Sequence, residues 1–194
     1  MGGVLLDIDT GKTNAAFEQL GLKDFKNNYT LNKADDLFDN LEMGRITELE
    51  FYNGIRTISQ LPLHDTDIKD AWNALLLNFR TESLQYLEQL AAKYQLFLLS
   101  NTNSIHHSAF MQSFYELSGG KFFDDYFTKA YYSQQIGLRK PNQAIYNFVL
   151  QDSGITAAET LFIDDLLKNI EGASSVGLRT HHLLPFERIE GLNL

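Results

Sequence analysis

From Glu82 to the C-terminus, short apolar runs alternate with helical stretches, and that alternation constrains the fold more than any other feature of the chain. Residues 83–94 have the spacing of an amphipathic helix. Leu96-Phe97-Leu98-Leu99 is a continuous apolar run, as a strand buried on both faces requires. Residues 105–117 read as a helix closed by Gly119-Gly120, and 127–132 as a strand. Pro141 stands where the next helix would start and Gly154 where it would stop. Leu161-Phe162-Ile163 reads as a further buried strand, 166–176 as a helix ended by Gly177, and 179–183 as a last strand. This order predicts an α/β fold with a parallel sheet and right-handed crossovers. Ligands of such sheets gather at the carboxyl ends of the strands, so the residues just after each apolar run are the first candidates for chemistry.

The N-terminal third reads differently. From 13 to 79 the apolar spacing is helical: Ala16, Phe17, Leu20; Leu37, Phe38, Leu41; Phe51, Ile55, Ile58; Ile68, Trp72, Leu75, Leu76. Breaks such as Met43-Gly44-Arg45 and Leu61-Pro62-Leu63 divide it into a bundle of about four short helices with no strand. The whole chain has 194 residues, enough for a core without staples. A net charge of −9 disfavours nucleic acid, whose binding relies on Lys and Arg, but leaves room for a positive pocket around a small phosphate ester. The absence of cysteine removes disulfides, thiolate nucleophiles and Cys-type zinc sites, and fits a cytoplasmic protein. No membrane span or signal peptide is legible. In that setting the glycosylation match at Asn28-Tyr29-Thr30 carries no weight.

Three strand ends carry polar clusters. At Ser100-Asn101-Thr102-Asn103, a hydroxyl and an amide offer neutral donors to an anion; taken alone, the cluster suits a plain helix cap better. In Gly137-Leu138-Arg139-Lys140-Pro141, Lys140 can meet a phosphate as a point charge, although isolated lysines are more often solvated. Asp164 and Asp165 follow a buried strand and repel each other. A divalent cation resolves that conflict, and an oxygen-rich site suits magnesium; a helix N-terminus explains the pair equally well. The pairs His106-His107 and His181-His182 lack the i, i+4 spacing of helical metal ligands and read as structural. Gly11-Lys12-Thr13 ends like a P-loop, but the earlier glycine of that motif is Leu6, which excludes it.

In this order and context, the three clusters resemble motifs II, III and IV of the haloacid dehalogenase-like (HAD) hydrolases. The specific parts are Asp-Asp-x-x-x-Asn-Ile-x-Gly-Ala from Asp164, and Gly-x-Arg-Lys-Pro from Gly137 before a helix with Ile145-Tyr146. The resemblance covers essentially the whole chain and looks nearest the bacterial branch that includes glucose-1-phosphate phosphatase. It implies a Rossmann-like core of residues 1–12 and 80–194, with a C1-type helical cap of 13–79 inserted. Gly2-Gly3-Val4-Leu5-Leu6-Asp7 is similar to the later part of motif I. In that register the nucleophilic aspartate and the first strand fall upstream of Met1, and Gly2 takes the place of the aspartate that protonates the leaving oxygen. A competing register makes Asp7, in Asp7-Ile8-Asp9, the nucleophile; the following Thr10-Gly11-Lys12-Thr13 lacks the Gly-Thr-Leu continuation.

What the resemblance implies is a magnesium-dependent phosphatase of small phosphorylated metabolites that works through an aspartyl phosphate. Ser100, Lys140 and Asp164 would serve catalysis, with Asp7 as the alternative nucleophile. Ser100, Asn101 and Lys140 would hold the phosphate; Asp165, Asp164 and the Gly2 carbonyl would hold the metal. A metal-free dehalogenase is disfavoured, because bare carboxylates at 164 and 165 would repel a carboxylate substrate. A phosphate-binding remnant without catalysis is the other alternative.

Overall fold

The computed structural model describes residues 1–23, 25 and 35–194; Asn28-Tyr29-Thr30 lies outside them. The helical expectation for the N-terminal third is realised by α1 (Thr10–Gln19), α2 (Asp35–Glu42), α3 (Glu48–Ser59) and α4 (Asp65–Asn73). Thr47 and Glu50 form a reciprocal capping box that starts α3, satisfying two backbone donors which the helix leaves free. The helices bury Phe17, Leu22, Leu41, Phe51, Ile55 and Ile68 in one cluster. Trp72 sits among aromatic rings there, with centroids 5.1 Å from Phe38, 5.3 Å from Phe51 and 4.9 Å from His106.

One correction belongs to this region. Leu75 and Leu76 do not continue a helix: α4 ends at Asn73, and β2 (Leu76–Phe79) pairs antiparallel with β1 (Leu6–Ile8). A short apolar run fits helix or strand by periodicity, so the choice is made by partners. Here the chain after Leu5 offers an edge, and Asp9 N–H to Leu75 O and Arg80 N–H to Leu5 O, both 2.9 Å, extend the pairing.

Beyond β2 the helix-strand alternation holds. The order is α5 (Thr81–Ala91), β3 (Phe97–Ser100), α6 (Ser104–Leu117), β4 (Lys129–Tyr132), α7 (Ser133–Ile136), α8 (Gln143–Ser153), β5 (Leu161–Asp164), α9 (Leu167–Ser174) and β6 (Arg179–His182). Pro141 is not the first helical residue. Asn142 caps α8 by accepting a hydrogen bond from Ala144 N–H, so the helix begins after it; Gly154 closes that helix in the left-handed conformation.

The parallel pairing is β3 with β4 and β5 with β6, each in register over four residues. Among the described residues, no ladder joins the two pairs. The β3 residues Leu98 and Leu99 and the β5 residues Phe162 and Ile163 instead line a cavity of about 790 Å³ that Met1 and Leu5 also border. Among the described residues, no helix is long and apolar enough to cross a membrane.

Candidate active site

β3, β5 and the loop after α7 deliver their polar residues to one place. Lys140 is buried, and its Nζ donates to Asp164 Oδ2 at 2.7 Å and to the Leu99 carbonyl at 2.9 Å. The backbone of Lys140 is clasped by Asn101, whose amide donates to the Lys140 carbonyl and whose Oδ1 accepts from the Lys140 N–H, both at 2.9 Å. Asp164 Oδ1 accepts from Asn169 Nδ2 at 2.8 Å and from Leu166 N–H at 2.9 Å. Asn169 is held in turn by the Tyr146 hydroxyl, which donates to its carbonyl at 2.7 Å. Each end of the Lys140–Asp164 pair is thus hydrogen-bonded beyond its partner, the condition under which a buried pair is tolerated.

The two adjacent carboxylates have opposite fates. Burial works against the Asp164 charge, but the Lys140 ammonium and the Leu166 N–H hold that carboxyl below its ordinary value. Burial, and then the neighbouring Asp164 charge, raise Asp165 above the ordinary range. A Cβ on Gly3 would overlap the Asp165 carboxylate, and Gly3 has φ +77°, so the glycine turn at the N-terminus lies directly against this group. Arg80 secures that turn by donating to the carbonyls of Gly3 and Val4, each at 2.9 Å.

The α-amine of Met1 is buried in the same cluster. Burial, then the Lys140 charge, lower it to about 5, while Asp164 and Asp165 act in the opposite sense. Asp7 is elsewhere engaged: Arg80 Nε donates to its Oδ1 at 2.7 Å, and the side chain is half-exposed on β1.

Sequence reasoning brought together residues that the fold also brings together: Asn101, Lys140, Asp164 and Asp165, with buried Ser100 at the end of β3. The geometry gives two of them narrower parts. Both ends of the Asn101 amide are spent on Lys140, and both oxygens of Asp164 on Lys140, Asn169 and Leu166. Asp165 is left as the carboxylate best placed to meet a cation. Arg80 and Ser133 were missed. Ser133 accepts from Thr102 N–H and donates to the Thr102 carbonyl, both at 2.9 Å, and so fixes the turn after β3. Its only sequence signal is a hydroxyl at the end of an apolar run.

No three His, Asp or Glu side chains converge among the described residues. The Asp165 carboxylate, its ionisation opposed by burial and a like charge, offers oxygen donors beside a glycine backbone. That suits magnesium, which takes one or two carboxylates and completes its shell with water and phosphate oxygens.

Comparison with known proteins bears on the family and the fold. The family profile described as haloacid dehalogenase-like hydrolase matches residues 1–177. A D-ribitol-5-phosphate phosphatase of Bacteroides thetaiotaomicron is 34% identical over 179 residues, covering 92% of this chain and 86% of that protein. The crystal structure of a HAD family enzyme from the same organism, in complex with magnesium and inorganic phosphate, superposes with a TM-score of 0.86 at 32% identity, over 99% of this chain and 95% of the other. A predicted HAD-like family hydrolase from Porphyromonas gingivalis gives 0.89 at 33% identity, over 99% and 92%. The substrate named among these relatives is D-ribitol 5-phosphate, and the names give no support to glucose-1-phosphate specificity.

Proposed function

The chain belongs to the haloacid dehalogenase-like hydrolase family and is a hydrolase of the phosphoric monoester type; on that premise we propose that it is a magnesium-dependent phosphatase of small phosphorylated metabolites, whose nucleophilic aspartate precedes Met1. The observation that carries the reading is the buried Lys140–Asp164 pair, with Asp165 beside it against the Gly3 turn, at the carboxyl ends of β3 and β5 next to the cleft that Met1 borders. A strand entering that slot parallel to its neighbours would end beside Lys140. An aspartate there could attack phosphorus as an ionised carboxylate, giving an aspartyl phosphate that water then releases. Asp7 suits the part less well, since Arg80 already neutralises it.

Within this reading each residue has a task. Lys140 faces the negative charge of the phosphoryl group and the nucleophile, fixed by the Asn101 clasp and by Asp164. Ser100 and the backbone after it donate to phosphate oxygens. Asp165 and the Gly2 carbonyl hold magnesium, which when bound offsets the repulsion between carboxylate and phosphate. The helical segment of 13–79 acts as a cap on a core of 1–12 and 80–194, shielding the reaction from water and selecting the leaving group. Linear polyol phosphates are the first substrates to try, given the ribitol 5-phosphate relative. A cytoplasmic setting fits the lack of cysteine.

The test is hydrolysis of para-nitrophenyl phosphate by two purified proteins: the chain from Met1 to Leu194, and the same chain with its upstream codons translated. The longer protein should turn over with magnesium and stop on chelation or on Asp165→Asn, while the shorter one stays inactive. Turnover by the shorter protein, lost on Asp7→Asn, would move the nucleophile to Asp7.

A further inference from the structure

Three consecutive carbonyls of the N-terminal turn are held by one residue. Arg80 follows β2 directly and stands at the N-cap of α5. Its Nη1 donates to the carbonyls of Gly3 and Val4, and its backbone N–H to that of Leu5, each at 2.9 Å. Another edge of the guanidinium faces Asp7, with Nε and Nη2 each 2.7 Å from Oδ1. The Arg80 side chain is only 13% exposed, so these bonds stand in for water. A planar fork of donors can serve a carboxylate on one edge and two carbonyls on another, which a single ammonium cannot.

The rest of the turn is closed as well. The Met1 carbonyl accepts from the N–H groups of Val4, Leu5 and Leu6, and the Leu6 carbonyl accepts from Gly3 N–H at 2.8 Å. Among the first six residues, only the Gly2 carbonyl takes no hydrogen bond from a described group. The next residue, Gly3, has φ +77° and lies against the Asp165 carboxylate. The turn thus leaves one carbonyl free beside one carboxylate. The direction of that carbonyl depends on the peptide units that follow it, and those are the ones Arg80 holds.

We propose that Arg80 is a positioning residue for magnesium: by holding the carbonyls of Gly3, Val4 and Leu5, it fixes the turn that presents the Gly2 carbonyl beside Asp165. The proposal rests on the metal site read above and adds the residue that shapes it. Arg80 acts only through the turn, and its charge is offset by Asp7. The sign of the effect separates position from field. Loss of the guanidinium leaves the Asp7 carboxylate uncompensated, which by charge alone would favour a cation. Weaker magnesium binding without Arg80 therefore reports lost geometry.

The test is calorimetric titration with magnesium chloride, without substrate, of the protein with its upstream codons translated. The magnesium dependence of para-nitrophenyl phosphate hydrolysis is then measured on the same samples. Arg80→Met should weaken magnesium binding about ten-fold, as when a group that orients a metal ligand is removed, and raise the half-saturating magnesium concentration with it. At saturating magnesium its kcat and its KM for the ester should return to near the wild-type values, a split that general loss of structure does not give. Arg80→Lys keeps the charge without the fork and should fall between the two; it decides the matter if circular dichroism shows that Arg80→Met does not fold. Magnesium affinity unmoved by these substitutions, or a loss of kcat that saturating magnesium does not restore, overturns the proposal. A wild type that binds no magnesium overturns it together with the metal reading. Wild-type binding that is lost on Asp165→Asn but insensitive to Arg80 leaves the metal reading standing and sinks this proposal alone.

Discussion

Lys140 is the residue on which most of the site depends. It is buried, its backbone is clasped by Asn101, and its ammonium is the charge partner of Asp164. Removing one member of such a pair leaves the other charged and desolvated, which costs about 3–5 kcal/mol. Lys140→Met should therefore lower unfolding stability by roughly that amount in urea titrations, as well as abolish turnover. Adding Asp164→Leu to it should recover part of the stability and none of the activity. The residues around this pair were legible in the sequence because each follows a buried apolar run, where an α/β sheet presents its chemistry. Arg80 and Ser133 were not. A single charged or hydroxyl residue on a helix end or after a short run has no pattern of its own, and its meaning comes only from what the fold sets beside it.

At the scale of elements, the longer helices of the second half were readable to within a few residues, because amphipathic spacing and glycine stops repeat a signal many times; the one-turn α7 was not. β2 was not, because four residues carry too few periods to tell strand from helix. The turn Met43-Gly44-Arg45 was read only as a break between helices. In the structure it also brings α2 close to α7, where Gly44 has φ +63° and its Cα faces the Gln134 carbonyl. Gly44→Ala adds a methyl against backbone that cannot yield easily. A destabilisation of about 1–3 kcal/mol is expected, with a lower melting temperature as the measure.

For the molecule as a whole, His106 ties the helical bundle to the sheet-bearing half. It lies on α6, stacks on Trp72 and hydrogen-bonds Asn73 at 2.9 Å, and burial pulls its imidazole down to about 3. A base whose folded value lies below its unfolded one binds fewer protons when folded. Stability should then fall as the pH drops from about 6.5 toward 3, and this contribution should be flat above neutrality. Chemical denaturation across that range, repeated on His106→Asn, should show a shallower decline in the variant. The cavity between β3 and β5 has a consequence at the same scale. Strand edges facing an apolar cleft recruit any extended apolar segment that can pair with them, from the same polypeptide or from a neighbour. On the proposed reading, a strand that pairs in the cleft would both complete the site and remove a template for aggregation.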